Sequence, residues 1–289
     1  MKSEMEYFNS IEAAKVLGVN VSTIKRWTEE GKLECIKTAG GHRKFLTSHI
    51  ANFLEKHKKK LSKANLFPAD SKTDIKISYY IMKGDFEFLR EHVKKQALQG
   101  KRGLVQNVLS GLYLGQYPLH EIYDHLVTPV LYQIGELWAD GKISIIEEHI
   151  ASQTIRDNIT RLQGIIRIPT RKVGKALCLN LSSELHDIAL KMVDHVLEAR
   201  GFKTFYSGQI TPLIKIEQLF EKVKPQRVYI SSTLIEDTAA FEAELKIISD
   251  TSEKFKAKVY IGGRGFDSIS VHHPAIEKRL FTFEDVYKN

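Results

Sequence analysis

Residues 13–33, AAKVLGVNVSTIKRWTEEGKL, and the segment 38–45 behind them, TAGGHRKF, decide how the amino-terminal part of the chain folds. Residues 10–19 form a short helix. Ser10 is placed to cap it, and Glu12 lies in the first turn, where unpaired N–H groups favour negative charge. Gly18 permits a tight turn, and residues 20–27 open a second helix. Ala13, Val16, Leu17, Val19, Ile24 and Trp27 can then form one small core. That leaves Ser22, Thr23, Lys25 and Arg26 outward near the start of the second helix, the place from which a recognition helix meets base edges and phosphates. Gly31-Lys32-Leu33 ends the helix.

Outward from this unit, charge is unevenly placed. The chain of 289 residues carries a formal charge of +8, and residues 1–75 hold 14 Lys and Arg against 9 Asp and Glu. Its densest run is His57-Lys58-Lys59-Lys60. A basic amino-terminal quarter is the electrostatic footprint of a domain that sits on phosphates, although a solvated helix end has the same look. Residues 57–75, HKKKLSKANLFPADSKTDI, are polar, contain Pro68 and read as a linker. The length suits two or three domains. A hydrophobic share of 43% and a charged share of 27% are those of a globular chain. No run approaches the ~18 apolar residues of a membrane span, so no membrane partner is expected. The first ten residues lack the apolar core of a signal peptide, which points to the cytoplasm. Cys35 and Cys178 show no metal-ligand spacing and read as reduced, semi-buried thiols, so zinc is not expected.

From residue 77 to 166 the apolar spacing is helical, with breaks at Gly84-Asp85, Gly100-Lys101, Tyr117-Pro118 and Asp140-Gly141. This reads as roughly four helices in a small bundle. Strands then alternate with helices: strands at 175–181, 203–208, 227–231 and 258–262, helices at 187–200, 213–223 and 241–255. Such alternation signals a parallel sheet covered on both faces.

Ligands of open parallel sheets bind beyond the carboxyl ends of the strands. The first such loop reads Ser182-Ser183-Glu184-Leu185-His186-Asp187. Glu184 can accept one imidazole N–H of His186, fixing the tautomer and raising the basicity of the other nitrogen. Taken alone, such a histidine is usually just a polar loop residue. Ser232-Thr233-Leu234 follows the third strand and Gly262-Gly263 the fourth. Gly262-Gly263-Arg264-Gly265 lacks dinucleotide spacing, and no nucleophile–base pair or phosphate loop is evident, so an enzyme is not expected.

The amino-terminal stretch resembles the MerR family of transcription regulators. The resemblance implies a winged helix-turn-helix on double-stranded DNA, with the wing at 38–45, Gly40-Gly41 as its turn, and His42 and Arg43 at the backbone phosphates. Excisionase-like domains, which bend DNA without sensing anything, share the pattern, but the long remainder of this chain argues against so simple a role. The loops Glu-x-His, Ser-x-Leu and Gly-Gly resemble the motifs of base-off cobalamin-binding domains. That resemblance implies His186 as the lower ligand to cobalt, and Ser232, Leu234, Gly262 and Gly263 around the displaced nucleotide tail. One position departs from the motif: Ala189 stands where the family has glycine.

Trp138, nine residues ahead of Glu148-His149, reads on its own as core, with the pair on a solvated helical face. The spacing nevertheless resembles the light-dependent CarH/LitR group of MerR regulators. It implies adenosylcobalamin with Trp138, Ile145, Glu148 and His149 on its upper side, His149 being a second metal ligand. The expected chain is multidomain: a winged helix-turn-helix (1–56), a linker (57–75), a four-helix bundle cap (76–168) and a Rossmann-like, flavodoxin-like parallel-sheet cobalamin-binding domain (172–289). The implied function is a homo-oligomeric repressor, dimer or tetramer, released from its operator by light. Two other readings are a cobalamin-independent regulator and a corrinoid carrier protein.

Overall fold

A computed structural model describes residues 7–57, 72–181 and 184–289. Most of the expected linker with its lysine run, and Ser182-Ser183, lie outside these residues. The described residues form two compact units, each treated by itself below. The first runs through Pro118 and includes His125–Asn158; the second comprises Leu119–Asp124 and Ile159–Asn289.

The first unit begins with the helix-turn-helix. Asn9, not Ser10, caps α1 (Ser10–Leu17): its Oδ1 accepts the N–H groups of Ile11 and Glu12, both at 2.9 Å. Glu12 reaches back to the Asn9 N–H at 2.7 Å. This reciprocal pairing satisfies donors that the first turn leaves open. Asn9 takes the role because its backbone is extended, whereas Ser10 is already helical. Gly18 ends α1 in the left-handed conformation at φ 65°, and α2 (Val21–Glu29) follows. Strands β1 (Tyr7–Phe8), β2 (Ile36–Lys37) and β3 (Arg43–Leu46) pair antiparallel in the order β1-β3-β2, and α3 (Thr47–His57) follows. The β2–β3 hairpin is the wing, turned at Gly41 with φ 76°.

The core of this head holds Phe8, Ala13, Val16, Leu17, Ile24, Leu33, Phe45, Ile50 and Phe53, with Trp27 against Phe53 at 4.7 Å. It also holds Ile75 from α4 (Lys72–Lys83). Tyr79 meets Phe8 edge-on at 5.3 Å, and Lys83 pairs with Glu12 at 2.7 Å. Ile75, Tyr79 and Met82 share one helical face, so α4 closes the head with a stripe of its own.

Four more helical runs follow, making five where the sequence counts roughly four: α5 (Phe86–Leu98), α6 (Arg102–Leu114), α7 (Leu119–Ile122) continued by α8 (Thr128–Ala139), and α9 (Ile145–Leu162). The breaks fall where the sequence places them, with Gly84, Gly100 and Gly141 all at positive φ. Between α7 and α8 the chain makes a π-helical turn, Tyr123–Val127. Pro129 brings no N–H for the carbonyl of His125, four residues back. Arg90 Nε donates to that carbonyl instead, at 2.6 Å.

The second unit is a five-stranded, all-parallel sheet of β4 (Gly174–Leu179), β5 (Phe202–Tyr206), β6 (Arg227–Ser231), β7 (Lys258–Gly262) and β8 (Ile276–Leu280), in the order β5-β4-β6-β7-β8. This is the flavodoxin-like order. Helices α10 (Ile188–Ala199), α11 (Ile216–Val223), α12 (Thr238–Lys254) and α13 (Phe283–Lys288) cover it. Leu177, Leu179, Val228, Ile230, Val259 and Ile261 pack with Phe220, Phe241, Leu245 and Ile248 of α11 and α12. Alternate residues turn to the other face, where Tyr229 and Tyr260 stack at 4.9 Å. Strand β8 and helix α13 have no counterpart in the sequence reading. Among the described residues, no helix is long and apolar enough to cross a membrane.

Candidate functional site

From β4 the chain winds to β5 on one side, then returns to β6 on the other side of β4. Where strand order reverses in this way, a crevice opens beyond the carboxyl ends of the two central strands. The loop after β4 carries His186, whose side chain is 60% exposed, and that after β6 carries Ser232. His186 Nδ1 lies 2.7 Å from Glu184 Oε1, and the backbone N–H of His186 donates to the same oxygen at 2.6 Å. Glu184 itself is 1% exposed, and its second oxygen accepts the N–H of Thr233. Burial pushes its carboxyl up. The hydrogen bonds from the His186 ring, the Thr233 N–H and the His186 N–H outweigh that, so the group is held below the ordinary glutamate value.

An ionised carboxylate only accepts, so Nδ1 carries a proton, and in the neutral ring the lone pair lies on Nε2. A neutral imidazole nitrogen backed by a carboxylate is the usual donor arrangement of a metal-ligating histidine. The donor set therefore fits the lower position of a cobalt corrinoid.

Residues that single-loop reasoning missed hold this loop from a distance. Asn180 Nδ2 donates to the His186 carbonyl at 3.4 Å, Gln209 Nε2 to that of Leu185 at 2.8 Å, and the Tyr206 hydroxyl to Asp187 at 2.9 Å. Ser232 is buried and Leu234 exposed. The glycines are required by the protein's own packing. At Gly263, with φ 99°, a Cβ would stand 2.1 Å from the Ser232 carbonyl oxygen; at Gly262 it would stand 3.1 Å from that of Leu280. The space that glycine frees is filled by the protein's own backbone rather than left open. Gly265 belongs to the same device, since its Cβ would meet Ser232 Oγ at 2.6 Å. The third glycine in Gly-Gly-Arg-Gly was the signal for it. Ala189 lies half-buried in the first turn of α10.

The other expected cofactor residues lie in the first unit. Trp138, near the end of α8, is 48% exposed, and Ile145 opens α9 exposed, as are Ile146 and Ile150. Trp138 is therefore not core. Glu148 Oε2 lies 2.8 Å from His149 Nδ1, while Glu148 Oε1 accepts the Ser152 hydroxyl at 2.5 Å. This repeats the carboxylate–histidine pairing of the second unit on an exposed helix. Trp138, Ile145, Ile146 and Ile150 thus leave apolar side chains exposed where α8 gives way to α9.

In the head, Ser22, Lys25 and Arg26 are exposed on α2 and Thr23 is half-buried. The wing turn is closed by Thr38, whose N–H donates to the His42 carbonyl at 2.9 Å and whose hydroxyl accepts the His42 N–H at 3.2 Å. The His42 side chain is exposed. Arg43 instead turns along the head: Nη2 pairs with Glu29 at 3.2 Å, and the side chain is 19% exposed.

Residues 7–58 match the helix-turn-helix domain family, and residues 76–163 match the B12 binding domain family. A chain that joins the two is a DNA-binding regulator with a cobalamin-binding region. Over 285 residues it is 22% identical to the HTH-type transcriptional repressor CarH of Myxococcus xanthus, covering 93% of this chain and 91% of that protein. The similarity to that repressor thus runs through both matched regions. The chain is also 20% identical over 145 residues to dimethylamine corrinoid protein 1 of Methanosarcina mazei, half of this chain and 67% of that one. The solved monomethylamine corrinoid protein of Methanosarcina barkeri superposes with a TM-score of 0.55 at 13% identity, over 70% of this chain and 96% of that one. That likeness is one of fold.

Proposed function

We propose that this protein is a cytoplasmic transcription repressor, not an enzyme, whose self-association and operator binding respond to adenosylcobalamin and light. The observation that carries the reading is the imidazole of His186 held through Nδ1 by the buried Glu184, in a chain that also bears a helix-turn-helix. The division into 1–56, 57–75, 76–168 and 172–289 goes with it. Bound adenosylcobalamin would supply a cobalt that accepts nitrogen ligands and a light-labile cobalt–carbon bond.

His186 offers Nε2 as the lower ligand, and Glu184, by accepting from Nδ1, directs the lone pair of the neutral ring to that nitrogen. Ser232, Leu234, Gly262 and Gly263 are assigned to the nucleotide tail. Trp138 and Ile145 exclude water on the upper side. His149, oriented by Glu148, is the second nitrogen available to the metal. Ser22, Thr23, Lys25 and Arg26 meet base edges and phosphates in the major groove, with His42 and Arg43 on the backbone. Heads that bind weakly one by one bind tightly when self-association joins two or four of them. Light then acts by shifting the population away from the joined state. A corrinoid carrier is the less favoured reading, because the M. mazei carrier matches half of this chain whereas the repressor matches 93%.

The test is to load the protein with adenosylcobalamin in the dark, remove free ligand, and record the visible spectrum and size-exclusion profile before and after green light. A retained corrin spectrum that changes on illumination together with particle size supports the reading. A colourless protein of constant size leaves the DNA-binding head standing and overturns the sensor.

A further inference from the structure

Arg279 lies on β8, the edge strand, apart from the residues assigned to cofactor and DNA. Its guanidinium reaches across to the turn that follows β7. Nη1 donates to the Phe266 carbonyl at 3.0 Å and Nη2 to the Gly263 carbonyl at 3.3 Å, and Nη2 also pairs with the carboxylate of Asp267. These contacts fix both ends of the single 3-10 turn Arg264–Asp267.

What that turn does is set by the glycines. Gly263 adopts φ 99° and ψ 162°, a region essentially closed to other residues. Its neighbour Gly265 donates its N–H to the Ser232 carbonyl at 3.0 Å, and Ser232 donates in return to the Gly262 carbonyl at 3.0 Å. Ser232 is fully buried by this exchange. The loops that follow β6 and β7 at the carboxyl edge of the sheet are thus knitted together, and Arg279 is the outermost stitch. An arginine suits the position because its planar fork can hold two carbonyls and a carboxylate at once, which a lysine cannot.

We propose that Arg279 is a positioning residue for the nucleotide tail of a bound cobalamin, acting through the Gly263–Asp267 turn and Ser232. The proposal rests on the cobalamin reading above. It differs from a general stabilising role in one respect: it concerns the tail and not the corrin ring. Cobinamide keeps the ring and the cobalt but lacks the nucleotide, so it separates the two.

The experiment titrates full-length wild type and Arg279→Gln with adenosylcobalamin and with cobinamide in the dark, following the corrin absorption bands. The expected result is a loss of about tenfold in affinity for adenosylcobalamin, the size seen when outer groups of a ligand site are removed. Cobinamide should bind both proteins alike. Asp267→Asn, at an exposed side chain, loosens the same clamp without removing the arginine and should shift affinity in the same tail-selective sense even where Arg279→Gln folds poorly. Equal losses for both corrinoids, or no loss for either, would overturn the proposal while leaving the cofactor reading intact. A wild type that takes up neither corrinoid overturns the cofactor reading itself, and this inference with it.

Discussion

His186 and Glu184 meet twice: the ring Nδ1 lies 2.7 Å from Oε1, and the backbone N–H of the same histidine donates to that oxygen at 2.6 Å. One buried carboxylate therefore fixes both the loop and the tautomer of the ring it carries. Replacing Glu184 with Gln keeps the size but removes the charge. Corrinoid affinity should fall by roughly 10- to 100-fold, measured by spectral titration.

The same substitution has a pH signature. Glu184 is held below its ordinary value of 4.5, so the unfolded chain takes up its proton first as the pH drops. Its contribution to stability is complete above the ordinary value and is lost as the pH falls through the lowered one. The acid limb of the melting temperature against pH should flatten in Glu184→Gln. An acid limb unchanged from wild type would show that the pairing adds nothing to the folded state.

His195 gives a larger effect in a nearby window. It is fully buried on α10, with Nδ1 2.9 Å from the Tyr123 hydroxyl. Burial, and then the positive charge of Lys191, push its pKa down to about 4 against the opposing pull of Asp194. Below pH 6.5 the unfolded chain binds a proton that the folded protein refuses. The stabilisation is thus full above pH 6.5 and disappears as the pH falls to about 4, a total of about 3 kcal/mol. His195→Gln should lose this slope, so that the stabilities of variant and wild type converge on acidification. Parallel curves in thermal unfolding followed by circular dichroism would count against it.

What the sequence revealed and what it hid divide along range. Strands β6 and β7 are legible to the residue because RVYIS and KVYIG are short apolar runs buried on both faces. Strand β8 is not, since Glu277 and Lys278 face water at the sheet edge and break the apolar pattern, as edge strands commonly do. The Glu184–His186 pair is legible because a single residue separates its members. Arg43 is legible as a basic wing residue, but its partner Glu29 lies 14 positions away, and nothing local announces it. Gly263 is legible as a glycine after the fourth strand, but the Ser232 backbone that its missing Cβ makes room for lies 31 positions away.

The placement of Ile75 makes α4 part of the head as well as of the helices behind it. Ile75 is 1% exposed in the core that includes Phe8, Val16 and Leu17. Truncation to Ala should cost about 2–4 kcal/mol, lowering the unfolding midpoint reported by Trp27, which packs on the same core. The chain has two tryptophans, so a Trp138→Phe background isolates the signal. A midpoint that does not move would show that the head is stable without α4.

The wing offers a test of how Arg43 is held. Its pairing with Glu29 at 3.2 Å involves a half-exposed carboxylate, and such pairs contribute only about 0–1 kcal/mol. A DNA phosphate can therefore displace Glu29. Removing the competitor with Glu29→Gln should tighten binding to duplexes of any sequence. Arg43→Ala should weaken binding evenly and lower the salt slope by about one contact. Glu29 acts through Arg43 on this account, so the double variant should bind like Arg43→Ala alone, a non-additivity expected of residues in direct contact. Fluorescence anisotropy over a salt series, with two unrelated duplexes, reads all four proteins. Additive effects would mean that Glu29 merely repels DNA by its charge and does not compete for Arg43.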